Sequence, residues 1–330
     1  MSLIEYRPHP LLRNGHLQTL MVGVIYGHRP PYLAESRVIP LSDGEAIVVH
    51  EERGGAVKRD APLVVMIHGL GGDHKSAYLE RLAPRLRCAG FNVWRVDLRG
   101  CGMGLEHAWR PANAGSSRDL ADVLAAATNW FPNSAIHVVG FSLSGNIVLK
   151  MLGELACGEL ELNFDLERIT SATAIAPPAN LHDCADNMDK FSRWLYTRYY
   201  LKVLDQQVQM RQQKWEQWQK LPRQPSVKTI RQFDSRFTAP LSGYRSAEDY
   251  YSAASSAPLL SGITTPTHIL VDKDDPVVTA HSFESLAIGP SCTLEFTRFG
   301  GHMGYFGLDA SGRILRWMEE FVVHRLKKML

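Results

Sequence analysis

The sequence predicts an α/β chain in which a mainly parallel central sheet carries helices on both faces. Three features of the sequence point there: apolar runs short enough to be strands, stretches of helical period between them, and glycine-bearing turns directly after several of the runs. Repeated strand–helix units build parallel sheets, and right-handed crossovers lay the connecting helices over both faces.

The elements follow in order. After a proline-rich lead (Pro8, Pro10, Pro30, Pro31), Ala46 to His50 alternates as a strand, and Leu63 to Ile67 is apolar throughout, as a strand buried on both faces would be. Ser76 to Cys88 spaces Tyr78, Leu79, Leu82 and Leu86 as a helix, Gly90 stops it, and Asn92 to Leu98 is the next strand. Ser116 to Asp119 opens a helix with Leu120, Val123, Leu124 and Ala127 on one face. Ile136 to Val139 follows as a strand, Gly145 to Leu155 as a helix, and Thr170 to Ala176 as a strand.

The rhythm breaks between about Asn180 and Pro258, before the strand His268 to Asp272. Two aromatic and Gln-rich helical patterns, Asp189 to Asp205 and Gln206 to Leu221, lead into a loop-rich stretch from Arg223 to Gly243. The expectation is a single domain over residues 1–330, with residues 180–257, approximately, inserted as a helical lid above the strand ends. Its stripe of Phe191, Trp194, Leu195 and Tyr199 is expected to pack. A helix near His281 to Leu286, a strand Thr293 to Phe299 and an amphipathic helix Ala310 to Leu326 close the chain.

Composition removes several functions. Thirty-six Lys and Arg against 34 Asp and Glu leave a net charge of +2, too balanced for the basic face that nucleic acid requires. Cys88, Cys101, Cys157, Cys184 and Cys292 form no C-x-x-C, so neither a disulfide framework nor a thiolate zinc site is expected. No run approaches the roughly 18 apolar residues of a membrane span, and Met1 to Pro10 lacks the pattern of a secretory signal. A cytoplasmic location is the expectation.

The strongest chemical signal is Val138-Val139-Gly140-Phe141-Ser142-Leu143-Ser144-Gly145-Asn146, between a predicted strand and a predicted helix. Such a turn lifts a serine hydroxyl above the sheet edge, and its neighbours must be small because the backbone closes on itself. Ser142 is the candidate nucleophile; Ser144 stands where a second glycine is usual, and as a nucleophile would fit the turn less well. A serine needs a histidine base and an acid, in the order Ser, Asp/Glu, His. Asp275, in Val271-Asp272-Lys273-Asp274-Asp275-Pro276, is the preferred acid, with Asp274 its close competitor and Asp272 a weaker one. His302, in Phe299-Gly300-Gly301-His302-Met303-Gly304, is the base. His68-Gly69-Leu70-Gly71-Gly72 follows a strand and can present a backbone N–H, so Leu70 and Leu143 are the candidate oxyanion donors.

Gly69-Leu70-Gly71-Gly72-Asp73-His74-Lys75-Ser76 nearly spells a phosphate-binding loop, but His74 occupies the position of its last glycine. Asp97 to Gly104 is glycine-rich without the dinucleotide-binding spacing. Neither His68, Asp73 and His74 nor Asp183, Cys184 and Asp186 have convincing metal-ligand spacing.

With these residues in place, the chain resembles the YheT-like (AB hydrolase-4) family of α/β-hydrolases, related to abhydrolase domain-containing esterases and lipases. Asn14-Gly15-His16-Leu17-Gln18-Thr19 resembles the family's N-x-H-x-Q-T signature, and the His68–Gly72, Asp97–Gly102, Gly140–Asn146 and Gly300–His302 segments also match. The resemblance implies an α/β-hydrolase fold and hydrolysis of small acyl esters through Ser142, Asp275 and His302, with no metal or organic cofactor. It carries over no membrane attachment. An acyltransferase or thioesterase with the same residues, or a non-catalytic ligand-binding protein on the same fold, are the alternatives. Oligomeric state is not legible.

Overall fold

The computed structural model describes residues 5–25, 27, 29–52, 57–221 and 227–330. Its core is an eight-stranded sheet in the order β1-β2-β4-β3-β5-β6-β7-β8. The strands are β1 (Ala34–Pro40), β2 (Ala46–Glu52), β3 (Leu63–Ile67), β4 (Asn92–Asp97), β5 (Ile136–Phe141), β6 (Ile169–Ile175), β7 (Thr267–Asp272) and β8 (Cys292–Thr297). Every pairing from β4 across to β8 is parallel, and only β1 with β2 and β2 with β4 are antiparallel. The mainly parallel sheet read from the sequence is therefore the one observed.

Alternate residues of the central strands feed opposite faces. Val64, Met66, Val93, Val139 and Leu270 pack under α2 (Ala77–Cys88) and the C-terminal helix; Val65, Ile67, Val96, Val138 and Ile269 pack under α3 (Ser117–Trp130) and α4 (Leu143–Cys157). Both layers bury these side chains almost completely, which is why the strands read as unbroken apolar runs.

Ahead of β2, one helix and one strand escaped the sequence reading. α1 (Gly15–Val24) lies in the proline-rich lead, and its signal was Asn14, whose Oδ1 accepts from the N–H groups of His16 and Leu17 as an N-cap. β1 is an edge strand with Val38 exposed and Ile39 buried, so half its pattern faces water; its signal was the Ser42-Asp43-Gly44 turn into β2.

The insertion between β6 and β7 holds α5 (Leu181–Met188), α6 (Trp194–Lys214), the short turns α7 (Glu216–Gln219), α8 (Ile230–Phe233) and α9 (Ala239–Leu241), and α10 (Ala247–Ala254). The two expected helices are one: α6 runs through Asp205-Gln206 unbroken, because Trp194 to Lys214 contains neither glycine nor proline and is rich in Leu, Gln, Arg and Lys. Residues 222–226 of the expected loop-rich stretch lie outside the described residues. The expected packing of Phe191, Trp194, Leu195 and Tyr199 is overturned, since they are 89%, 48%, 53% and 63% exposed. α6 instead buries Tyr196, Thr197, Leu204, Val208 and Arg211, the last three about one turn apart on one face, where Leu204 and Val208 pack against Trp218, Phe233 and Phe237.

Beyond β7 come α11 (His281–Glu284) and β8, then a hairpin of β9 (Phe306–Leu308) and β10 (Ile314–Arg316) before α12 (Trp317–Lys327). The expected closing helix thus starts seven residues later than Ala310. Asp309 accepts from the N–H groups of Ser311 and Arg313, and Gly312 has φ +81°, a turn no helix can pass through.

Candidate active site

β5 ends in a turn that no strand or helix can contain. Ser142 has φ +51° and ψ −118°, a sparsely populated positive-φ backbone that costs a non-glycine residue of order 1–3 kcal/mol. It is held there by its N–H donating to Ile175 O on β6 (2.8 Å) and by its carbonyl accepting from Gly145 N (2.8 Å). The turn aims the Ser142 side chain off the sheet edge at the first turn of α4. Crowding explains the small neighbours: a Cβ on Gly69 would lie 3.1 Å from the Ser142 Cβ and 3.2 Å from Phe141 O.

Ser144 has a different task. It is fully buried, and its Oγ donates to the His68 carbonyl, tying the α4 start to the loop after β3. A serine in place of the usual glycine is thereby used as a latch, and its hydroxyl is committed away from His302.

The candidate base and acid come from the loops after β8 and β7. Ser142 Oγ lies 2.9 Å from His302 Nε2, and His302 Nδ1 lies 2.8 Å from Asp275 Oδ2. His302 and Asp275 are both buried. The other oxygen, Asp275 Oδ1, accepts from Val277 N (2.7 Å) and Val278 N (3.0 Å), which fixes the carboxylate plane. The competing acids are elsewhere engaged. Asp274 Oδ2 accepts from Phe299 N (3.0 Å). Asp272 accepts from Gly300 N (2.8 Å), Gly301 N (3.0 Å) and Thr297 Oγ1 (2.9 Å), holding the loop that carries His302.

The N-terminal signature buttresses that same loop. Thr19 Oγ1 donates to Gly15 O (2.7 Å) and accepts from His302 N (2.8 Å). Gln18, fully buried, exchanges two hydrogen bonds with the Phe306 backbone, and His16 Nδ1 lies 2.8 Å from Tyr196 Oη on α6. Gly301, with φ +59°, brings its backbone so close to α1 that a Cβ would sit 2.2 Å from Gly15 O. Sequence matching flags this motif; only the packing says what it does.

Beside Ser142 opens a cavity of about 120 Å³ under the insertion. Leu70, Leu143, Tyr200, Leu204, Trp218 and Phe237 are among its walls. The aromatic lining therefore comes from Tyr200, Trp218, Phe233, Phe237, Tyr250 and Tyr251, not from Phe191, Trp194 or Tyr199. Leu70 and Leu143 line the cavity with the serine, and their N–H groups donate to no protein acceptor among the described residues.

A second cluster joins β2, the end of β4 and the loop after β3. His50 Nε2 and His74 Nδ1 meet Asp97 Oδ2 at 3.0 and 2.9 Å, and the backbone N–H groups of His74 (2.6 Å) and Met103 (2.8 Å) also donate to Asp97. Burial alone would raise the Asp97 carboxyl, but the bonds from His50 and His74 outweigh it and hold the group well below the usual carboxylate range. By donor type this trio could hold a cation. Yet its atoms are turned on one another: the rings, stacked 3.6 Å apart and 15° from parallel, both direct a nitrogen at Asp97 Oδ2. The near-match to a phosphate loop is spent in the same way, with the His74 N–H on Asp97, the Lys75 N–H on Asp73 (2.7 Å) and the Asp73 N–H on Ser76 (3.2 Å). All five cysteines are free thiols.

Comparison with known proteins agrees with this geometry. Residues 62–307 match the model of the alpha/beta hydrolase fold. The candidate esterase YheT of Escherichia coli (strain K12) is 29% identical over 93% of this chain and 88% of its own. The monoacylglycerol lipase of Saccharomyces cerevisiae is 28% identical over 81% of this chain, which spans 59% of the yeast protein. Among solved structures, the Pyrococcus furiosus esterase Pf2001 superimposes with a TM-score of 0.57 at 16% identity, covering 92% of this chain and 95% of that one, a likeness of fold. From the parallel sheet, the strained serine turn after β5 and the family match over residues 62–307, the chain belongs to the alpha/beta hydrolase fold family, and in sequence it is YheT-like.

Proposed function

We propose that this protein is a serine-dependent carboxylic-ester hydrolase acting on short- to medium-chain acyl esters. The observation that carries the reading is the continuous relay from Ser142 Oγ to His302 Nε2 (2.9 Å) and from His302 Nδ1 to Asp275 Oδ2 (2.8 Å), built on a strained turn beside a mostly apolar cavity. His302 takes the Ser142 proton as Oγ attacks the ester carbonyl, and the N–H groups of Leu70 and Leu143 receive the developing oxyanion. Collapse of the tetrahedral adduct breaks the C–O bond, and the alkoxide leaves as an alcohol with the proton from His302. Water, giving a proton to the same ring, then attacks the acyl-serine and releases the carboxylic acid. Asp275 orients the imidazole and balances its transient charge.

Residues 180–257, approximately, act in this reading as a lid that walls the acyl side of the site. No helix among the described residues is long and apolar enough to cross a membrane, and the proposed setting is the cytoplasm. The test is intact-mass labelling with a fluorophosphonate and peptide mapping. A single adduct on Ser142, absent in Ser142→Ala, with ester turnover lowered by at least about 10⁴-fold, is expected. Undiminished esterase activity in that variant removes the assignment. Transfer to added alcohols in place of release as free acid marks the acyltransferase alternative.

A further inference from the structure

The cavity beside Ser142 is mostly apolar, and α6 lowers one arginine into its wall, which also carries the Asp234 carboxyl and the Asn113 and Gln207 amides. Arg211 is 3% exposed and lines this cavity, yet it forms no ion pair among the described residues. Its Nη2 donates to Gly100 O (2.8 Å), its guanidinium carbon lies 5.3 Å from the centre of the Trp218 ring, and its Nε has no hydrogen-bond partner. The Asp234 carboxyl, which also lines the cavity, accepts from Tyr251 Oη (2.7 Å) and forms no ion pair with Arg211, and the Gln207 amide on the same wall reaches the Cys101 sulfur at 3.9 Å. Other buried arginines of this protein are matched. Arg95 meets Glu52 (2.9 Å), and Arg99 meets Asp119 (2.6 Å) and Asp43 (2.8 Å).

A buried guanidinium without a carboxylate is costly, because the ion has left water and nothing of opposite charge replaces it. Burial accordingly lowers the Arg211 pKa from its ordinary value. A structural latch to a single carbonyl would need only one of its donors, and a glutamine or lysine would make it without a bare Nε. The fork of a guanidinium suits a carboxylate or phosphate, which accepts two parallel N–H bonds.

We infer that Arg211 is a substrate-binding residue that receives an anionic oxygen group, a carboxylate or a phosphate, carried by the ester at a point remote from the scissile carbonyl. This rests on the ester-hydrolase reading above and narrows its substrate class from acyl esters in general to esters bearing a negative charge. The apolar walls hold the carbon chain, and Arg211 with Gln207 receives the charged end.

The experiment compares matched pairs: 4-nitrophenyl hexanoate with the mono-4-nitrophenyl ester of adipic acid, and a 1-acylglycerol with its 3-phosphate. Without Arg211 as a partner, a charge entering an apolar cavity would cost orders of magnitude in kcat/KM. Wild type is expected to hydrolyse the charged member of at least one pair about tenfold better, and the pair that responds separates an acyl-side carboxylate from an alcohol-side phosphate. In Arg211→Gln the charged-to-neutral ratio of kcat/KM for that pair should fall about tenfold to hundredfold, mostly through KM, with Arg211→Lys restoring part of it. Wild type favouring the neutral member of both pairs overturns the proposal, and so does an unchanged ratio in Arg211→Gln.

Calorimetric titration of Ser142→Ala with the same charged esters keeps the two readings apart. Binding that weakens on adding Arg211→Gln supports the site even if no ester is turned over, whereas labelled, active enzyme that ignores the charge defeats this inference alone. The wild-type ratio stands even if Arg211→Gln does not fold.

Discussion

Two three-part relays run through this molecule, and only one has the surroundings of a reaction. Ser142, His302 and Asp275 are joined at 2.9 and 2.8 Å; Tyr32, His50 and Asp97 are joined at 2.7 and 3.0 Å. Distances do not separate them. The first ends in a hydroxyl beside a cavity and two unengaged backbone N–H groups, and its carboxylate serves one ring and two amides. The second ends in a phenol whose pKa burial raises, and its carboxylate serves two rings and two amides. A hydrogen-bonded His–Asp pair is thus a building material. What makes it a catalytic device is an acceptor position left open next to it.

Parallel substitutions break or sharpen this contrast. Asp275→Asn should lower ester turnover about 10³–10⁴-fold through loss of ring orientation while leaving the urea midpoint near wild type. Asp97→Asn should do the reverse. It puts donors opposite donors in a buried cluster and should cost about 3 kcal/mol in urea denaturation, with turnover per folded molecule little changed. A fully folded Asp97→Asn protein without activity would show that the second relay belongs to the chemistry.

A smaller effect tests the link between the two regions. Ser144→Gly restores the commoner residue of the turn but removes the bond to His68 O, and a loss of about 1–2 kcal/mol is expected. Equal or greater stability in that variant would mean that the latch contributes nothing.

The smallest effect concerns the cavity wall. Burial moves the Asp234 carboxyl up from 3.8 to about 6, against the pull of hydrogen bonds from Thr238 and Tyr251. Between these two values the folded protein holds more protons than the unfolded chain, so this group makes stability fall as pH rises through the window. Asp234→Asn should flatten that part of the stability–pH curve, and an identical slope in the variant would count against the assignment.

Much of the sheet was legible because each strand's own residues specify it. Leu63 to Ile67 is buried on both sides and can be little else, and its predicted limits are those observed. The turn at Gly140 to Gly145 was legible for a related reason, since close backbone approach demands small residues wherever it occurs. Edges and insertions were not. Half of β1 faces water, and the period of α6 gives its rotation only once its neighbours are known.

Residue types and order alone therefore determined the α/β class and the candidates Ser142, Asp275 and His302, because turn sterics and strand burial are local constraints written in local sequence. Tertiary structure decided which of three aspartates faces the histidine, why Thr19 and Gln18 stand where they do, and which face of α6 looks inward. It also left Arg211 facing a cavity with an unused donor. These are relations between segments far apart in the chain, set by packing and hydrogen bonding in three dimensions, and no local period encodes them.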